Sequence, residues 1–173
     1  MNTIKHGRIV SVAIMSCLFF RSINAMSAEP RSLVRSFHLD APPARVFPLF
    51  TAEGERAWAQ GWDPEILSGN QERGSVFRTR NQGRESVWIV TDFNPGEGRA
   101  SYARLAAGSN MGLVDVRCSA SPQGGTEVSV RYTLTATSGD GKAFVDDFLA
   151  PAHYEAMIEE WRVATQKALA RAQ

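Results

Sequence analysis

The sequence predicts an α+β fold in which a cupped antiparallel sheet grips one long helix around a cavity. Three observations support this prediction. One alternating strand near residues 33–40 is followed by a proline break and two short helices. Residues 75–137 have the pattern of strands joined by glycine-bearing turns, and residues 151–170 have a helical period. An opening strand, two helices, a meander and a closing helix form the order expected of such a fold.

The first strand and its end are clear from the residue types. Residues 33–40 place Leu33, Phe37 and Leu39 on one side of an alternating pattern, as a strand requires. Pro42 and Pro43 should end it, because proline donates no ladder hydrogen bond and restricts the residue before it. Proline is also well suited to begin a helix.

Two short helices should follow the prolines. The first carries four apolar side chains and is interrupted by Pro48; they are Val46, Phe47, Leu49 and Phe50. Thr51 is placed to cap a second helix. Glu53 and Glu55 fall in its first turn, where carboxylates are favourable near the positive end of the helix dipole.

Strands and turns alternate through the middle of the chain. The last strand is the clearest, because Val128, Val130, Tyr132 and Leu134 alternate with polar residues. Residues 88–93 and 111–118 alternate less regularly, so the sequence does not assign their faces. The closing helix should begin at Pro151 and present one apolar stripe, formed by Tyr154, Met157, Ile158, Trp161, Thr165 and Ala168.

Residues 1–28 predict a signal peptide. Lys5, His6 and Arg8 precede a twelve-residue apolar run that is too short to span a bilayer, and a small residue, Ala25, follows it. We therefore expect a domain at residues 29–173 that is periplasmic or secreted after cleavage, with no integral membrane span. The alternative is a cytoplasmic protein that starts at Met26.

Charge and composition exclude several classes of protein. Loss of residues 1–28 would remove Lys5, Arg8 and Arg21 from the 19 basic side chains, leaving 16 against 18 acidic ones. Neither this balance nor any basic run favours nucleic-acid binding. The domain would keep one cysteine, Cys118, and two histidines, which is too few for a transition-metal site of the usual kind. No cofactor is expected.

The order of motifs resembles a known superfamily. The opening DAPPARVFPLF at residues 40–50, the hairpin and strand GGTEVSVRYTLTATSGDG at residues 124–141 and the aromatic closing helix are similar to the SRPBCC superfamily. This is the START, pollen-allergen and polyketide-cyclase group of helix-grip domains. The resemblance covers residues 31–170 and implies a seven-stranded antiparallel sheet curved around the closing helix. The Rieske oxygenase branch is excluded, because no CxxC or CxH pair occurs.

The resemblance implies a role in binding or transporting a hydrophobic small molecule, lipid-like or polyketide-like, in an internal cavity. Bulky aromatic residues suit the walls of such a cavity, although each could instead belong to an ordinary core. The candidate ligand-binding residues are Trp58, Trp62, Trp88, Tyr102, Tyr132, Tyr154, Ile158 and Trp161.

An enzyme of the cyclase/dehydratase type is the alternative, with Arg104, Tyr132 and His153 as candidate catalytic residues. If Arg104 points inward, it needs Asp115 or an anionic ligand group as a partner; otherwise both charges lie on the solvent face. His153 could move a proton, or it could be a polar residue at a helix start. A protein resembling chaperone-ATPase activators is a third possibility for a cytoplasmic chain. The oligomeric state does not follow from the sequence.

Overall fold

The computed structural model describes residues 28–81 and 83–171. The predicted signal peptide therefore lies outside the described residues, apart from Ala28. Seven strands are present: β1 Arg31–Leu39, β2 Glu65–Ser68, β3 Val76–Asn81, β4 Arg84–Asn94, β5 Arg99–Ala106, β6 Asn110–Ala120 and β7 Thr126–Ala136. The α-helices are α1 Pro43–Val46, α2 Gly139–Phe148 and α3 Pro151–Arg171. Short 3₁₀ turns occupy Phe47–Phe50, Gly54–Ala57 and Pro95–Glu97.

The strands form one antiparallel sheet in the order β1-β7-β6-β5-β4-β3-β2. Strands β2 to β7 pair in sequence as a meander, and β1 joins its far edge through β7. The pairing of β6 with β7 runs without interruption from Asn110 opposite Ala136 to Ala120 opposite Thr126. These features confirm the predicted helix-grip fold, with its short helices after the first strand and its long closing helix.

The core lies between the concave face of the sheet and α3. Tyr154, Ile158 and Leu169 from α3 are buried against the sheet, where Val128 and Val130 of β7 are fully buried. The Tyr154 hydroxyl donates a hydrogen bond to the Val130 carbonyl oxygen at 3.1 Å. The buried face of α3 thus contains most of the predicted apolar stripe: Tyr154, Ile158, Thr165 and Ala168 are buried, while Met157 and Trp161 are half-buried.

The segment between α1 and β2 closes one end of the core. Phe47 and Phe50 are buried, and the Thr51 hydroxyl accepts a hydrogen bond from the Gly54 N–H at 3.0 Å. The second predicted helix is only one 3₁₀ turn, Gly54–Ala57, and its N-cap residue is Glu53, which makes no side-chain cap; Thr51 bonds to the turn from two residues earlier. Glycine is required at position 54, because a Cβ there would collide with the Pro48 carbonyl oxygen.

Strand β4 contains an irregularity that explains its unclear sequence pattern. Its register with β5 shifts between Val90 and Asp92. Such a bulge disturbs the regular alternation of side chains between the two faces of a sheet. Among the residues that the structure describes, no helix combines the length and apolarity needed to cross a membrane.

Candidate functional site

A cavity of about 240 Å³ lies between the sheet, the loop after Gly54–Ala57, and helices α2 and α3. Seven aromatic side chains line it: Trp58, Trp62, Trp88, Tyr132, Phe144, Phe148 and Trp161. A larger hollow of about 660 Å³ lies between β1 and α3, but Arg35, Glu155 and Glu159 make its lining charged. The concentration of aromatic rings identifies the 240 Å³ cavity, called the aromatic cavity below, as the candidate site.

Hydrogen bonds to the protein itself hold three of the tryptophans. The indole N–H of Trp58 donates to the Leu49 carbonyl oxygen at 2.6 Å, and that of Trp62 donates to the Ala52 carbonyl oxygen at 2.7 Å. The Trp88 indole N–H donates to the Thr79 hydroxyl at 3.0 Å. Because these donors are already used, the three rings present rigid apolar surfaces to the cavity.

The rings also pack against one another. Trp161 meets Trp58 edge-on with 5.2 Å between ring centroids, and Trp62 meets Trp88 in the same way at 5.7 Å. On the other side, the Tyr132 ring lies 5.1 Å from that of Phe148. Edge-to-face contacts of this kind stabilise ring orientations. The cavity is therefore preformed by packing between β4, β7, α2, α3 and the loop after the 3₁₀ turn.

Arg104 of β5 points into the aromatic cavity, which is the inward one of the two orientations considered from the sequence. Its guanidinium carbon lies 5.5 Å from the Trp88 ring centroid and 5.9 Å from that of Phe144. Its Nη1 donates to the side-chain oxygen of Asn110 at 2.7 Å. Burial lowers the pKa of Arg104, while the nearby Tyr132 opposes that effect. The guanidinium thus lies near two aromatic rings, and its hydrogen-bond partner, Asn110, is uncharged.

Asp115 is not the partner of Arg104. The Asp115 carboxylate accepts a hydrogen bond from the Ser101 hydroxyl at 2.6 Å. Ser101 and Asp115 are paired across β5 and β6. Their neighbours Tyr102 and Val114 are buried on the inner face of the sheet, so residues 101 and 115 lie on the outer face. Asp115 and Arg104 therefore lie on opposite faces of the sheet. The sequence offered two partners for Arg104, Asp115 or an anionic group of a ligand, and only the ligand group is left.

Glu55 is a cavity residue that the sequence analysis did not select. It lies in the 3₁₀ turn Gly54–Ala57 and lines the aromatic cavity. Among the described residues, its carboxyl group has no hydrogen-bond or ion-pair partner. Glu55 is half-buried, and its desolvation raises the pKa of this carboxyl from 4.5 to about 8, so the protonated form predominates at pH 7. The sequence does carry a local signal for this difference. Glu53 has a basic residue, Arg56, three positions later to pair with, whereas the residue three positions after Glu55 is Trp58, which offers no charge.

Tyr132 is a further polar residue of the site. Only 8% of the residue is exposed, and it lines the aromatic cavity from β7. Its hydroxyl has no hydrogen-bond partner within the described part of the chain. Burial raises the pKa of Tyr132, Glu55 adds to the increase, and Arg104 acts against it. The phenol is therefore a neutral hydroxyl at pH 7, available to a guest.

The other candidate residues lie outside the aromatic cavity. Tyr102 is buried with its hydroxyl bonded to the Phe50 carbonyl oxygen at 3.0 Å, while Tyr154 and Ile158 belong to the filled core under α3. The cavity occupies only one end of the grip, which accounts for their exclusion. His153 is exposed, and its Nδ1 lies 3.5 Å from a carboxylate oxygen of Asp147. This pair lies at the surface, outside the aromatic cavity.

No metal or thiol chemistry is built into the described residues. Across 28–81 and 83–171, no three His, Cys, Asp or Glu side chains are grouped so that they could hold a metal ion. Cys118 is buried on β6, and burial raises the pKa of its thiol to about 12. A thiol with so high a pKa is a poor nucleophile at neutral pH.

The family model described as polyketide cyclase / dehydrase and lipid transport matches residues 30–171. The chain belongs to this family. Membership confirms the resemblance to the SRPBCC superfamily and supports either hydrophobic-ligand binding or a cyclase-type role. No curated protein matches the sequence.

Solved structures show the same fold. An uncharacterized protein from Rhizobium leguminosarum is 22% identical, with a TM-score of 0.61 over 84% of this chain and 97% of that one. Norcoclaurine synthase from Thalictrum flavum, in truncated form, is 10% identical, with a TM-score of 0.60 over 80% and 94%. The ZhuI aromatase/cyclase from Streptomyces sp. R1128 is 18% identical, with a TM-score of 0.55 over 82% and 92%. At these identities the likeness concerns the fold.

Proposed function

We propose that this protein binds or transports a hydrophobic small molecule, lipid-like or polyketide-like, in the aromatic cavity. The observation that carries the proposal is the wall of tryptophan rings whose N–H groups are bonded to the protein itself. Water next to such walls makes few hydrogen bonds, so its displacement by an apolar guest is favourable by about 25 cal/mol for each Å² covered.

The cavity volume limits the size of the enclosed part of the guest. At about 30 Å³ for each water molecule in the liquid, 240 Å³ corresponds to roughly eight waters. Pockets for drug-sized ligands are usually larger, about 300–1,000 Å³. We therefore expect one or two rings, or a short acyl segment, inside the cavity, with any longer portion extending from its mouth.

Native mass spectrometry of the full-length protein, purified without lipid-stripping detergent, is the direct test. The proposal predicts a mass excess that disappears on denaturation. The denatured mass also tests our further proposal that the protein is exported: loss of the first 25 to 28 residues supports cleavage of a signal peptide, and a chain beginning at Met1 contradicts it. The support for export is the basic and apolar pattern of residues 1–28.

A titration addresses the cavity itself. Two-ring probes, 2-naphthol and 2-naphthoate, should quench tryptophan fluorescence in a saturable manner. Trp161→Ala should weaken binding of the better probe about tenfold, and Val163→Ala, an exposed position on the same helix, should leave it unchanged. If Trp161→Ala does not fold, Trp161→Leu keeps an apolar wall of different shape. Absence of saturable binding by either probe, together with an unliganded native mass, would contradict the proposal.

A second candidate function, an enzyme of the cyclase/dehydratase type, is favoured by the position of Glu55 in the cavity and by the raised pKa of its carboxyl. A carboxyl group with a pKa of about 8 exchanges its proton near neutral pH, as a general acid or base must. It could take a proton from a carbon next to a ketone, while Arg104 and the Tyr132 hydroxyl stabilise the developing enolate oxygen. The proton would then pass to a departing hydroxyl group, which leaves as water.

This candidate has its own assay. Dehydration of an aromatic β-hydroxyketone produces a conjugated enone whose absorbance can be followed. Glu55→Gln should reduce the rate about 100-fold or more without weakening substrate binding, and Glu53→Gln, at the exposed neighbouring acid, should not. If wild-type protein does not accelerate the reaction above the buffer rate, or if Glu55→Gln is fully active, this role for Glu55 is wrong.

A further inference from the structure

We infer that the guest of the aromatic cavity is a monoanion: a flat apolar molecule that carries one carboxylate, bound by Arg104. This inference rests on the proposed function, because it specifies the chemical class of molecule that the cavity accepts. It goes beyond hydrophobic binding, since a neutral guest of the same shape should bind more weakly.

The first argument is the missing counter-charge of Arg104. Its described hydrogen bond goes to the neutral side chain of Asn110, so four of the five N–H donors of the guanidinium are left for other partners. Arg104 is half-buried, and a charge that is partly removed from water is costly to leave without a counter-ion. Within the described residues, no carboxylate lies within 4 Å of the Arg104 guanidinium. A carboxylate on the guest would supply the partner that the protein lacks.

The acidic groups around Arg104 do not compensate its charge. Glu55 lines the same cavity, but burial keeps it mostly protonated at neutral pH. Glu85 and Asp140 line an adjoining hollow that shares Arg104, and Glu85 bonds to Arg80 at 3.1 Å. Asp140 lies at the start of α2, outside ion-pair distance of the guanidinium. The aromatic cavity therefore has a net positive charge near pH 7.

The second argument is the fixed orientation of the guanidinium. The rings of Trp88 and Phe144 lie 5.5 and 5.9 Å from its carbon, so cation–π attraction adds to the Asn110 hydrogen bond. Asn110 is itself 1% exposed and donates to the Ser109 hydroxyl at 2.8 Å. A guanidinium held in this way can bind both oxygens of a carboxylate, with little loss of side-chain entropy. The body of the guest would then lie against the aromatic walls.

The number of cations favours a carboxylate over a doubly charged phosphate. Arg80 is the other basic residue of the cavity lining, and it already pairs with Glu65 at 3.4 Å and with Glu85 at 3.1 Å. One uncompensated positive charge remains, and it matches one negative charge. A dianion would bring a second charge into apolar surroundings without a partner.

The experiment compares two probes of the same shape, 2-naphthoate and 2-naphthamide, by calorimetric titration at pH 7. Wild-type protein should bind the carboxylate at least tenfold more tightly than the amide. Arg104→Met should remove that preference while retaining the affinity for the amide. Arg84→Gln is the matched control, because Arg84 lines the adjoining hollow and not the aromatic cavity, and it should behave as wild type.

The outcomes separate the two levels of the proposal. Equal affinities for the two probes in wild type would overturn the monoanion inference while supporting hydrophobic binding. A preference that survives in Arg104→Met would overturn the assignment to Arg104. Failure of both probes to bind would overturn the inference, and together with an unliganded native mass it would overturn the proposed function as well. If Arg104→Met does not fold, the wild-type preference decides the charge, and Asn110→Ala, which frees the guanidinium, should reduce that preference.

Discussion

The carboxyl group of Glu55 provides a quantitative test of the cavity's electrostatics. Replacement by glutamine preserves the shape of the side chain and removes its titration. In the unfolded chain this carboxyl should have a pKa near 4.5, whereas burial raises it to about 8 in the folded protein. The folded state thus binds the proton more tightly, and unfolding releases it throughout the intervening pH range.

The sign and size of the effect follow from this linkage. The contribution of protonated Glu55 to stability is fully present below pH 4.5 and is lost as the pH rises through about 8. One proton corresponds to about 1.4 kcal/mol per pH unit, so an upper bound between pH 5 and pH 8 is about 4 kcal/mol. Partial contact of Glu55 with solvent reduces this, and we expect roughly 2–4 kcal/mol.

The measurement is urea unfolding of wild type, Glu55→Gln and Glu53→Gln at several values between pH 5 and pH 9. The free energy of unfolding of Glu55→Gln, relative to wild type, should increase with pH and level off above about pH 8. Other titrating groups cancel in this difference. Glu53 is paired with Arg56 at the surface, so its variant should show no such increase. A difference for Glu55→Gln that is constant from pH 5 to pH 9 would refute the assignment of a buried, protonated carboxyl.

Three further predictions concern binding and the core. The affinity for 2-naphthoate should fall several-fold as the pH rises from 7 to 9, because ionised Glu55 would repel the probe; in Glu55→Gln this fall should be absent. Tyr154→Phe should lower the free energy of unfolding by about 1 kcal/mol through loss of the Val130 hydrogen bond, without changing probe affinity in a parallel titration. His153→Ala should leave both affinity and any dehydration rate unchanged, since His153 contacts Asp147 at the surface; a loss of either would contradict its placement.

Local signals made most of the fold predictable. Alternation in β7, the proline pair at the start of α1 and the stripe on α3 each depend on residues close together in the chain. Such patterns follow from the two-residue period of a strand and the roughly 3.6-residue period of a helix, so they predict the elements that the folded protein contains. The bulge after Val90 was not predictable in this way, because it depends on the register that β4 adopts with β5.

The site was less predictable than the fold, because distant contacts decide which side chains face the cavity. Tyr102 and Arg104 are both on the inward face of β5, yet the Tyr102 hydroxyl is bonded to Phe50, 52 residues earlier in the chain. Arg104, two residues further along the same strand, reaches the aromatic rings. The sequence pattern made Glu55 an ordinary residue of a helix start, and its place in the cavity lining becomes visible only in the folded structure.

The donors and acceptors that remain available explain how one cavity could serve as a carrier or as an enzyme. The protein itself uses the indole N–H groups of three tryptophans, and Arg80 is paired with two carboxylates. The ionisable groups of the lining without a charged partner among the described residues are therefore Arg104, Tyr132 and Glu55. A carrier needs only the cation and the apolar walls, whereas an enzyme also needs Glu55 to exchange a proton with the guest. Glu55→Gln distinguishes these roles: an enzyme would lose turnover while retaining affinity, and a carrier would retain its guest and show no turnover in either form.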